Sequence, residues 1–217
     1  MSTELKVENA TDASFIEVLK SRRSVRKYDS SAVITDSEII ELLEVATLAP
    51  SSSNMQPWRF FVVTDAELKQ KLVPIANNQQ QVGEASAIVL ILADLEMYKL
   101  AGPIYEASFE AGYMTEEIKN RMVENSTKLY SSLPAERLKE IAIFDTGLVA
   151  MQLMLAARAK GYDTVPMGGY NREEAAKLLG VPERYLPTLM LPIGKAAAPG
   201  HPTTRLPIEQ VAFFNRM

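Results

Sequence analysis

The chain has no cysteine and a single histidine, His201. Without cysteine there can be no disulfide, no thiolate nucleophile and no thiolate metal site. One histidine excludes paired-histidine zinc motifs such as H-E-x-x-H, and a Ser-His-Asp triad would depend on a residue set in a Pro/Gly-rich loop. Cationic charge is scarce as well: 23 Lys and Arg against 27 Asp and Glu leave a net charge of -4. A protein of that balance lacks the broad basic face that displaces counterions from nucleic acid. Met1 to Thr11 is polar and carries no secretory signal, and the longest strongly apolar run, Ala87 to Ala93, is too short to cross a bilayer as a helix. These absences predict a cytoplasmic protein with no nucleic-acid or membrane partner and no metal site. Also missing are G-x-G-x-x-G after a strand and G-x-x-x-x-G-K-[ST], so any phosphate has to be held by arginines and hydroxyls.

What is present begins with Ser21-Arg22-Arg23-Ser24-Val25-Arg26-Lys27-Tyr28-Asp29. Four cations in a few residues repel one another unless an anion, a carboxylate set or water lies opposite. Arginine forks suit phosphate or carboxylate, and a neighbouring serine adds a short-range hydroxyl. A solvated cluster at a helix C-terminus is the competing reading.

The 217 residues, 47% of them hydrophobic, suit one folded domain, 1–217. Asp12 can cap a short helix carrying Phe15, Ile16, Val18 and Leu19. Thr35-Asp36-Ser37-Glu38 is a capping-box pattern, and the periodicity that follows predicts a helix up to Pro50. Pro50-Ser51-Ser52-Ser53-Asn54-Met55-Gln56-Pro57-Trp58 is a loop of small donors and acceptors ahead of a buried strand, Arg59 to Thr64. Asp65 caps a helix through Leu72, the amide run Asn77 to Gln81 follows, and Ile88 to Ala93 is a second buried strand. The segment 97–133 reads as a helical excursion covering a site. Ala135 to Lys160 is a helix, apolar on nearly all sides between Ile141 and Ala157, hence buried in the core or in a subunit interface. Tyr162 to Pro166 predicts a short strand entering Met167-Gly168-Gly169-Tyr170, whose glycines permit positive φ and exposed N–H groups. A capping box at Asn171 to Glu174, a helix ending at Gly180, a strand from Pro187 to Ile193 and a proline-stiffened loop around Arg205 complete the chain.

Taken in order, Arg22-Arg23-Ser24-Val25-Arg26, the Pro50 to Trp58 loop, Pro166-Met167-Gly168-Gly169 and Arg205-Leu206-Pro207 resemble the successive signatures of the FMN-dependent nitroreductase family. The likeness covers the chain from about Phe15 onward. It implies an α+β fold with a mostly antiparallel central sheet flanked by helices, in an interlocked homodimer with two FMN molecules at the subunit interface. By the same resemblance Arg22, Ser24 and Arg205 hold the FMN phosphate and ribityl end, with Arg23 in the same group. Arg26 faces the flavin pyrimidine near N1 and O2, and Asn78 and Gln81 contact its edge. Ser51, Ser52, Asn54 and Gln56 come from the partner subunit. Met167, Gly168 and Gly169 lie by flavin N5 and O4, and the chain lacks the acidic residue that some members carry before the second glycine. Where some members have a further basic residue the chain has Thr203, for which Lys195 or His201 could compensate.

The implied activity is hydride transfer from NAD(P)H to FMN N5 and ping-pong reduction of nitroaromatics, quinones or similar acceptors, with no catalytic side chain. The alternatives are dehalogenation or dehydrogenation on the same scaffold, or a flavin-storage or sensing protein. A hydrogen bond to a charged group contributes about 1.5–3 kcal/mol and micromolar affinity needs about 8, so stacking and burial of the isoalloxazine must supply a comparable share.

Overall fold

The computed structural model describes residues 15–216. The Met1 to Thr11 stretch and Asp12, expected as a helix cap, lie outside the described residues. The first helix, α1 (Phe15–Ser21), buries only Val18. Helix α2 (Asp36–Ala46) starts on the expected capping box: Thr35 Oγ1 accepts from the Glu38 amide at 3.2 Å, and Glu38 Oε2 accepts from the Thr35 amide at 2.9 Å. It stops at Ala46, short of Pro50, because the chain tightens into i to i+3 turns, Leu48 N–H to Val45 O and Ala49 N–H to Ala46 O. A proline also disfavours helical geometry in the residue before it.

Four strands, β1 (Trp58–Val63), β2 (Ala87–Asp94), β3 (Asp163–Thr164) and β4 (Tyr185–Gly194), form an antiparallel sheet in the order β1-β2-β4-β3. All eight residues of β2 are buried. Since successive side chains point to opposite faces, both faces of the sheet must be covered. Ala87, Val89 and Ile91 face one cluster with Ile39 and Leu42 of α2 and Val149, Leu153 and Ala157 of α7 (Ala135–Ala159). Ile88, Leu90 and Leu92 face the other, with Leu72 and Val73 of α3 (Ala66–Ile75), Val82 of α4 (Gln81–Glu84), and Ala175 and Leu179 of α8 (Arg172–Leu179). The expected α+β architecture is the one observed.

The segment 97–133 folds into α5 (Ala101–Glu110) and α6 (Glu116–Ser132). With the start of α7 it makes a third cluster: Met97, Ala101, Tyr105, Tyr130 and Leu138, plus Met55 from the loop before β1. At the far end of β2, Asp94 is completely buried. Arg184 donates to it twice, Nε to Oδ1 at 2.6 Å and Nη2 to Oδ2 at 2.8 Å, and Arg59 Nη2 adds a bond of 2.9 Å to Oδ2.

Two expectations need correction. Helix α3 continues past Leu72 to Ile75 with Pro74 inside its last turn; so near the C-terminus the missing proline N–H costs one bond without breaking the helix. The strand predicted over Tyr162 to Pro166 is reduced to Asp163–Thr164. Helix α7 is apolar on most sides but buried on one: Phe144 is 66% exposed and Met151 40%. By length and composition it would also suit a membrane span; its buried face packs on the sheet and on α2.

Tyr162 donates from its hydroxyl to Glu38 Oε1 at 2.6 Å. That bond, followed by the bonds from the Thr35 amide and hydroxyl, holds the Glu38 carboxyl down at about 2. A depressed folded pKa contributes stability that is present above the unfolded value near 4.3 and is lost as pH falls toward the folded one. Tyr162→Phe is therefore expected to lower stability at pH 7 by about 1 kcal/mol, allowing for solvent screening, with the gap to wild type closing between about pH 4.5 and 2 in denaturant titrations.

Candidate active site

The site residues fall into two groups. In the first, Ser24 bridges Thr164 in parallel, and the Val25 amide donates to Thr164 O at 3.1 Å. This lays the basic stretch along the free edge of β3. Three residues on, Met167 pairs with Met190 and leads into Gly168 and Gly169 at the surface. The amide run closes on the same place. Asn77 Nδ2 donates to Gly169 O at 2.9 Å and Gln79 Nε2 at 3.1 Å, while Gln81 Nε2 donates to Gln79 Oε1 at 3.0 Å and reaches Met167 Sδ at 3.8 Å. Asn77 and Asn78 hold left-handed backbone, φ 57° and 58°, which turns the chain back under the glycines. The structure thus brings together Ser24, Gln81, Met167, Gly168 and Gly169, with Arg22, Arg26 and Asn78 beside them.

The glycines do not use the positive φ that is open to them. The bridge at Met167 and the two amides on Gly169 O set their path instead, and among the described residues neither the Gly168 nor the Gly169 N–H has a hydrogen-bond acceptor within the chain. Arg23 turns away: its Nη1 donates to Lys20 O at 2.6 Å and Arg22 O at 2.9 Å, which caps the end of α1. Arg205 is exposed and donates to Thr203 Oγ1 at 2.8 Å and Thr204 O at 2.7 Å. The C-terminal segment nonetheless runs against the basic stretch, since a Cβ on Gly200 would lie 2.6 Å from Arg23 Cβ. Lys195 stands over the Tyr162 ring at 4.0 Å and donates to Gly161 O at 2.8 Å, so it does not stand in for the missing basic residue. His201 is exposed.

The second group is the loop Ser51 to Gln56. Its level is read from Trp58, which faces Ala93 at one end of β2, whereas Thr164 faces Ile193 and so Ala87 at the other end. Those levels are about 20 Å apart at strand rise, and β1 and β3 are opposite edges of the sheet. Within one chain the loop and the basic stretch therefore do not meet. The loop is strained: Ser53, Asn54 and Gln56 have φ of 47°, 54° and 46°. It is held by residues the sequence reading passed over. Asp145 of α7, 1% exposed, accepts from the Ser52 amide at 3.0 Å and from Ser52 Oγ at 3.2 Å. Ser51 Oγ accepts from the Gln56 amide at 3.0 Å, and Arg59 Nη1 donates to Gln56 O at 3.0 Å. The signal for Asp145 was available, as it is the lone charge between Ile141 and Ala157.

A family model described as the nitroreductase family matches residues 19–195. The chain belongs to the nitroreductase family. Among its relatives, "Putative NAD(P)H nitroreductase YdgI" of Bacillus subtilis (strain 168) is 47% identical over 200 residues, 91% of this chain and 96% of that protein. The "CLA biosynthesis enone reductase" of Lactiplantibacillus plantarum is 35% identical over 202 residues, 92% of this chain and 93% of that one. Among solved structures, the "putative nitroreductase in complex with FMN" from Exiguobacterium sibiricum 255-15 superposes with a TM-score of 0.91 at 43% identity, over 96% of this chain and 100% of that chain. As in that neighbour, the chain has a nitroreductase fold.

Burial pushes the Asp145 carboxyl above its ordinary range, against the bonds from Ser52, which pull it down. A carboxyl whose folded pKa is raised disfavours the fold when ionised, so its cost is present at pH 7 and fades as pH falls toward the folded pKa. Asp145→Asn keeps an acceptor for the Ser52 amide and is expected to melt no lower than wild type at pH 7; its advantage should shrink as melting is repeated down to pH 5.

Proposed function

We propose that the chain is an FMN-dependent, NAD(P)H-oxidising reductase that works as a homodimer. The observation that carries this reading is the first group of site residues: two surface amides without acceptors, at Gly168 and Gly169, beside a buried amide side chain, Gln81, and an arginine- and serine-bearing edge. That donor set suits a planar heterocycle with carbonyl oxygens at one end and a phosphate tail at the other. When bound, FMN would take hydride from NAD(P)H and pass electrons to a second substrate in a ping-pong cycle.

The chain's own residues bind and tune. Arg22 and Ser24, whose side chains have no partner among the described residues, would hold the phosphate and ribityl end, with Arg205 supplied from the adjacent C-terminal segment. Asn77 and Gln79 fix Gly169 by its carbonyl, so that its N–H stays outward. The exposed Arg26 guanidinium would put positive charge at the pyrimidine edge, which favours a reduced, anionic ring. Separation of the Ser51 to Gln56 loop from this group, and the exposed Phe144 and Met151 on α7, support a second copy that completes each site and covers that face.

The proposed acceptors are nitroaromatics and quinones. The relative named as an enone reductase favours a second reading in which the acceptor is an activated carbon–carbon double bond. The purified protein should show flavin absorption with about one FMN per chain, bleached anaerobically by NADPH or NADH. Reoxidation by a nitroaromatic, a quinone or an enone then ranks the acceptors, and a yellow protein bleached by neither nucleotide would overturn the enzyme reading. Arg22→Ala should weaken FMN binding by about tenfold or more in fluorescence titrations. Arg26→Ala should lower the flavin midpoint potential while leaving affinity less affected, as read by redox titration of the bound cofactor.

A further inference from the structure

Ser53 sits in the middle of the 51–56 loop yet is absent from the flavin contacts that the family resemblance implies. Its surroundings explain why. Tyr105 of α5, 3% exposed, donates its hydroxyl to Ser53 O at 2.7 Å, and Tyr130 of α6, 4% exposed, donates to Ser53 Oγ at 2.9 Å. Two residues on, Met55 is fully buried in the lobe's own core beside both tyrosines. Alternate loop residues thus face the lobe, while Ser52, Asn54 and Gln56 are left for other partners. A phenylalanine would fill either tyrosine position as well if packing were the sole requirement; a buried phenol needs a hydrogen-bond partner, and both find theirs on one residue.

We propose that Tyr105 and Tyr130 are positioning residues for the 51–56 loop, so that the α5–α6 lobe sets how tightly the loop grips FMN in the site completed by the partner subunit. This rests on the reading of the chain as an FMN protein. The lobe then acts as more than a cover: it keeps Ser53 in left-handed backbone, φ 47°, and so fixes the aim of the residues on either side. A loop already in its binding conformation gives up less freedom when the cofactor arrives, and that difference appears in the dissociation constant.

The test uses full-length dimeric protein and FMN itself. Tyr105→Phe and Tyr130→Phe should each raise the FMN dissociation constant about fivefold, the equivalent of ~1 kcal/mol per hydrogen bond, and should alter the visible circular dichroism of the bound flavin. Ser53→Ala removes the acceptor of the Tyr130 bond, so adding it to Tyr130→Phe should raise the constant no further. Ser126→Ala deletes the other partner of the Tyr105 hydroxyl, 3.1 Å away, without touching the loop, and should leave FMN affinity unchanged. If the tyrosine variants melt lower but bind FMN with wild-type affinity and dichroism, the tyrosines are merely structural and the proposal fails. It fails equally if Tyr130→Phe and Ser53→Ala act additively, or if Ser126→Ala weakens binding as much as the tyrosine variants. A wild-type protein that takes up no FMN overturns the functional reading as well, which separates the two failures.

Discussion

The eight residues of β2 are withdrawn from water on both faces, and this burial governs where anything else can happen. A sheet covered on both faces has no open surface for a ligand, so recognition is confined to strand ends and edges. One end of β2 is closed by Asp94, a carboxylate with no exposure. Its desolvation would be costly alone; two arginines that themselves reach solvent supply three hydrogen bonds to its two oxygens. Arg59 also donates to Gln56 O and Trp58 O. The group that closes the buried strand therefore anchors the exit of the Ser51 to Gln56 loop, and core and site share a support.

The parts of the fold legible in the sequence are those decided locally. Thr35 and Glu38, Asp65 and Asn171 cap the helices expected of them because a side chain three residues away satisfies the free amides. The strands were legible from continuous apolar content, the mark of burial on both faces. Direction of burial was not. Helix α7 has apolar residues around most of its circumference, and periodicity cannot say which of them meet this chain's own sheet and which, like Phe144, remain on the surface of a single chain. The short β3 was legible as a strand but not in its extent, for a related reason: only Asp163–Thr164 pairs, and its partners in β4 and Ser24 are not near in sequence.

The site was legible as chemistry and opaque as geometry. Residue types singled out both candidate groups, since clustered arginines, paired glycines and a serine-rich loop narrow the possible ligands. Composition could not show that Arg23 closes a helix end while its neighbour Arg22 does not. Nor could it show that Ser53 differs from Ser52 when the two are identical and adjacent. What separates them is the direction of the backbone. Ser52 turns to Asp145 on α7, and Ser53 turns to tyrosines 52 and 77 positions later in the chain.

That division of the loop bears on why it is strained. Left-handed backbone costs roughly 1–2 kcal/mol per non-glycine residue, somewhat less for asparagine, and three of the loop's residues adopt it. No stretch of small polar residues holds such a shape unaided. The bonds to Asp145 and from Tyr105, Tyr130 and Arg59, each worth about 1 kcal/mol, and the burial of Met55 are of the size needed to offset it. The supports come from α7, from the lobe and from the sheet, so the conformation is held by three layers at once. A loop specified this way presents its remaining donors and acceptors in one arrangement. If the loop meets the cofactor as proposed, the consequence is selectivity by shape: a ligand that fits meets a surface already formed, and one that does not would have to displace contacts belonging to the core.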